Sequence, residues 1–107
     1  MLAMLLAIYA ILVCGMLHGE TFKGTLMPVK CQGESPSKHT KKCLMECAGT
    51  GVGIVLEDGA FYRFDEAGQR RALSAIENSN KERNLKVTVE GRMEGETLRA
   101  DRVVLEP

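Results

Sequence analysis

The first charged side chain in this 107-residue chain is Glu20, and all 14 basic and 14 acidic residues lie at or beyond it. Ahead of it runs Met1 to Leu17 (MLAMLLAIYAILVCGML), a stretch that a water-soluble fold rarely leaves on its surface. Its length suits the apolar core of a secretory signal, about 7–15 residues, better than a full bilayer span of about 20, although no Lys or Arg precedes it. Residues 1–19 are therefore expected to be a signal peptide or N-terminal membrane segment, with cleavage near Gly19 and export to the periplasm or beyond. Lipidation at Cys14 is the alternative; branched Val13 is a poor residue to precede a lipidated cysteine.

Residues 20–107 remain, about 88 in all, enough for one domain and too few for two. Their charges sum to zero with both signs interspersed, whereas a general nucleic-acid binder carries a basic excess. Beyond the apolar segment the aromatic residues are Phe22, Phe61, Tyr62 and Phe64, too few for a base-stacking platform. The expected partner is a protein or a small ligand, with membrane contact only through the N-terminal segment.

Hydrophobic periodicity divides this part into strands and two helices. Thr21 to Val29 reads as a first strand ending near Pro28. Ser35 and Pro36 supply a cap and a first helical residue for a short helix from Pro36 to about Cys47, stopped by Gly49. Val52 to Leu56 and Phe61 to Phe64 form a hairpin about Asp58-Gly59, expected as a two-residue turn. Asp65 caps a second helix whose buried stripe is Ala72, Leu73, Ala75 and Ile76. Leu85, Val87 and Val89 then alternate with Lys86, Thr88 and Glu90, a period of two. A turn about Gly95 leads to the last strand, whose inward register changes between Ala100 and Val103 and predicts a bulge. The fold class expected is mainly β: a five-stranded, OB-fold-like barrel with a helix between the third and fourth strands and a cysteine-bearing helix inserted after the first.

The chemistry concentrates at Cys31, His39, Cys43 and Cys47. On a helix from Pro36, His39, Cys43 and Cys47 recur every four residues and line one face, and Cys31 folds back from the preceding loop. These donors suit Zn²⁺ or Cu⁺, and Lys38, Lys41 and Lys42 would favour the thiolates. A disulfide from Cys31 to Cys43 or Cys47 is the competing expectation in an exported protein and would stabilise by about 3 kcal/mol. Three cysteines beyond the signal cannot all pair, so one thiol would remain for a redox role or a metal. Met27 and Met45 are expected as core filling, not as thioether ligands.

Other signals are weak. Gly49 to Gly53 (GTGVG) lacks the Lys-Ser/Thr of a phosphate loop and leads into a strand. Glu57, Asp58, Asp65 and Glu66 form no evident catalytic pair, and no serine stands in a nucleophile motif, so a non-catalytic role is expected.

The runs FKGTLMPVKC, KHTKKCLMEC, GTGVGIV, GAFYRFDEAG and LKVTVEGRMEGETL span nearly all of residues 22–98. In them the chain resembles a group of small exported bacterial proteins of uncharacterised activity, whose most distinctive core is HT-x-x-C-x-x-x-C. The resemblance implies export and an OB-like fold. Together these readings lead to a small extracytoplasmic binding module with a Cys/His site for a transition metal or a redox role; the alternative is a structural or interaction module stapled by a disulfide.

Overall fold

A computed structural model describes residues 19–31, 33–35 and 39–107. The apolar segment with Cys14, and the helix start expected at residues 36–38, lie outside the described residues. Five strands carry the fold: β1 (Glu20–Pro28), β2 (Val52–Leu56), β3 (Phe61–Phe64), β4 (Lys86–Glu94) and β5 (Thr97–Leu105). Helix α1 (Lys41–Cys47) lies between β1 and β2, and helix α2 (Glu66–Glu77) between β3 and β4.

The strands follow one another as β1-β2-β3-β5-β4, and β4 returns to β1 to close a ring. Every pairing is antiparallel except β3 with β5, which is parallel and only two residue pairs long, Arg63 with Thr97 and Phe64 with Leu98. Closure depends on β1 serving two neighbours. Its first part pairs with β4 and its second with β2, and Gly24 and Thr25 pair with both. A Cβ at Gly24 would collide with the Val55 carbonyl oxygen and crowd Ile54 Cγ1, so the crossing point requires glycine.

Alternation fills the interior. Phe22 and Leu26 from β1, Val52 and Ile54 from β2, Phe64 from β3, Val87 and Val89 from β4, and Leu98 and Ala100 from β5 are all buried. Along α2 the buried face is Gly68, Ala72 and Ile76; Leu73 only packs against its rim. The predicted bulge is present: Arg102 faces Glu90 and Ala100 faces Gly91, leaving Asp101 without a partner on β4. The predicted cap is present too, and it has a second task. Asp65 Oδ1 accepts from Gly68 N at 2.9 Å and from Ala100 N at 3.2 Å, tying the start of α2 to β5 where β3 no longer pairs with it.

Two expectations need correction. The β2–β3 connection is not a two-residue turn. Gly59 N donates to Leu56 O and Leu56 N to Ala60 O, each at 2.9 Å, a three-residue loop with Gly59 in the left-handed region at φ +89°. Helix α1 begins at Lys41, later than the Ser35-Pro36 signal suggests. Its N-cap is Thr40, whose Oγ1 accepts from Cys43 N at 3.1 Å. Thr40 is extended and bridges Arg83, a backbone pairing that a helix continuing through this position would forbid. Lys41 N donating to Glu82 O at 2.9 Å completes the tie to the loop after α2. On the other side of α1, Leu44 is fully buried in the core.

Candidate metal centre

Three short devices position the Cys/His set. At the end of β1 the chain tightens into a 3-10 turn, Val29–Cys31, fixed by Val29 N donating to Gly51 O at 2.9 Å. Glu34 N then donates to Cys31 O at 3.1 Å, a turn that brings the Glu34 carboxylate back to the Cys31 thiol. After residues 36–38, His39 precedes the Thr40 cap, and α1 carries Cys43 and Cys47 one turn apart.

The ligand atoms of Cys31, Glu34 and His39 all lie within 4.8 Å of one another. His39 Nδ1 is also 3.5 Å from Cys43 Sγ. Two donors sharing a tetrahedral zinc ion are roughly 3.3–3.8 Å apart, given metal–ligand bonds of about 2.0–2.3 Å. The His39–Cys43 separation therefore suits a shared ion, and the Cys31, Glu34 and His39 donors need to close on one another by no more than about 1–1.5 Å. Cys47, one turn on from Cys43, is near enough to raise the pKa of the Cys43 thiol. Of the four residues expected from the sequence, Cys31 and His39 thus come together with Glu34, Cys43 is joined to that group only through His39, and His39 precedes α1 instead of lying on its face.

Glu34 is the residue that sequence reasoning missed. One acid in a loop beside a serine and a proline carries no ligand signal of its own; the signal is the three-residue spacing from Cys31, which a turn converts into proximity.

His39 is the most informative side chain. It is 6% exposed, and among the described residues its Nε2 has no hydrogen-bond partner. A buried polar atom left unpaired costs about 1–3 kcal/mol, and a bound cation removes that cost. Cys31, Cys43 and Cys47 are free thiols, each half-buried, so the expected disulfide is not formed. The donor set, soft sulfurs with an imidazole and a carboxylate, fits a transition metal.

Two of the thiols, Cys31 and Cys43, favour the protonated form. Desolvation raises the Cys31 pKa, helped by its hydrogen bond to Glu34 and the charges of Glu34, Cys43 and Cys47. Desolvation also raises that of Cys43, followed by the influence of Cys47 and Glu46, with Lys30 opposing. The lysines expected to favour the thiolates are engaged elsewhere. Lys41 Nζ donates to Ser79 O at 2.8 Å, Lys42 lies 4.0 Å from Glu46, and Lys38 is outside the described residues. Of the two methionines, Met27 is fully buried as expected, while Met45 is 39% exposed and fills no core.

Comparison with protein-family models, with characterised proteins and with solved structures returned no match.

Proposed function

We propose that this chain is a small, non-catalytic extracytoplasmic module that binds a transition metal, Zn²⁺ or Cu⁺, through Cys31, His39, Cys43 and Cys47 with Glu34 at the same site. The observation that carries this reading is His39, buried with Nε2 unpartnered among the described residues while its other ring nitrogen meets a thiol and its donor group lies near Cys31 and Glu34. A metal held there would tie the turn after β1 to the start of α1. The same thiols, emptied of metal, are the groups available for a redox role. The charge-free segment Met1 to Leu17 supports export. Strand order, the parallel closure and the helix before β4 support reading the ring as an OB-fold.

Cobalt substitution tests the site. Titrating the reduced, metal-free chain with Co²⁺ is expected to give thiolate-to-cobalt charge-transfer absorption that saturates at one ion per chain. His39→Ala and Cys31→Ser should each weaken binding by about tenfold or more. No charge-transfer band, or one unchanged in both variants, would remove the metal reading.

A second reading has its own observation. A groove of about 650 Å³ opens where β3 runs past the start of β5, lined by Val29, Phe61, Tyr62, Arg63, Met93 and Thr97 among others. It suits a partner bound on the face of the ring, with Val29 of the turn that leads to Cys31 at its edge. Line broadening at Tyr62 and Met93 in a metal-independent complex would favour this reading.

A further inference from the structure

The groove between α2 and β5 carries a charge that the molecule as a whole lacks. It is an open surface depression of about 520 Å³, lined by Ala67, Arg70, Arg71, Ser74 and Ala75 of the helix and by Asp101, Arg102 and Val103 of the strand. Three guanidiniums therefore face one carboxylate, in a chain whose formal net charge is zero. That carboxylate is already engaged, since Asp101 Oδ1 lies 3.6 Å from Arg99 Nε. Arg70 is steadied by Glu66 at 3.4 Å, a residue that does not line the groove. Among the described residues neither Arg71 nor Arg102 has a carboxylate within ion-pair distance. Arg71 is nonetheless held in place, because its Nη1 donates to Ala100 O at 3.1 Å.

The bulge explains the strand side. Beyond Leu98, β5 leaves β3, and the unpaired residue Asp101 turns the strand just before Arg102, opposite the helix. Arginines thus line both walls, with Ser74 as a further hydroxyl-bearing residue and Ala67, Ala75 and Val103 as the apolar part of the lining. Guanidinium forks match tetrahedral oxyanions bidentately, and an open depression lets a charged head dock without full desolvation.

We infer that this groove binds a phosphate monoester, its dianionic head held by Arg70, Arg71 and Arg102 and its organic part resting on Val103 and the two alanines. The site is made of elements that contribute nothing to the Cys/His set, so it stands independently of the metal reading.

The test is a titration of the full ¹⁵N-labelled chain with phenyl phosphate and, separately, with inorganic phosphate at low ionic strength. Saturable shifts are expected at Ser74, Arg102 and Val103 with both, tighter with phenyl phosphate, and weakened by added salt. Arg102→Gln should weaken binding roughly fivefold to tenfold, allowing for solvent screening of exposed charges. Asp101→Asn should tighten it, an outcome that structural damage would not produce. Zn²⁺ binding should be the same in both variants. No saturable response, equal affinity for the two phosphates, or unchanged affinity in Arg102→Gln would overturn the proposal.

Discussion

Thr40 sets where α1 begins, and its side chain holds the amide of Cys43, a residue of the proposed metal site. Because Oγ1 accepts from Cys43 N, the cap orients Cys43 just where His39 Nδ1 meets its sulfur. Thr40→Ala should cost about 1 kcal/mol, lowering the Tm by roughly 4–8 °C, while Thr40→Ser should recover most of the loss, as thermal unfolding followed by circular dichroism would show. The thiols make a second prediction. The pKa values of Cys31 and Cys43 are raised in the folded protein, so the folded state binds their protons more tightly than the unfolded chain does. That contribution is fully present below the ordinary thiol pKa of about 8.5 and is lost as the pH rises through the raised values. The Tm of the metal-free protein should therefore decline at alkaline pH, and a Cys31→Ser, Cys43→Ser double variant should decline less. Metal affinity should move the opposite way, rising with pH because the ion must displace these protons.

At the scale of elements, α1 is too short to be stable alone, and its single buried residue, Leu44, fastens it to the ring. Leu44→Ala should cost about 2–5 kcal/mol and release the helix, so hydrogen exchange should rise first at residues 41–47, ahead of the β4 amides. The strands were legible because strict alternation such as Leu85-Val87-Val89 has few other solutions, and the bulge was legible because the inward register slips between Ala100 and Val103. The start of α1 was not. Ser35-Pro36 carries the cap signal legible in the sequence, whereas the cap at Thr40 goes with a tertiary pairing, Thr40 with Arg83, across the whole of β2, β3 and α2. The four cysteine and histidine positions were readable as soft donors close in sequence. Glu34 and the arginine groove were not, since the first depends on a local turn and the second on α2 meeting a strand about 30 residues away.

For the whole molecule, a metal at the proposed site would act on the same weakness as ring closure. A domain of this size has a small core and marginal stability, and its ring is closed between β3 and β5 by only two residue pairs. No helix among the described residues is long and apolar enough to cross a membrane. A metal that binds only the folded chain adds stability by mass action, about 2.7 kcal/mol at a free concentration one hundred times its Kd. Wild-type Tm should rise with Zn²⁺ by roughly 10–20 °C at that concentration, and the Tm of His39→Ala should rise far less. The most direct measurement is the intact mass of the natively purified protein, recorded first under native and then under denaturing conditions. A single bound Zn²⁺ or Cu⁺, offset by the protons displaced from the thiols and lost on denaturation, is the result this account predicts. A mass two hydrogens low with no metal, before and after reduction and reloading, would contradict it.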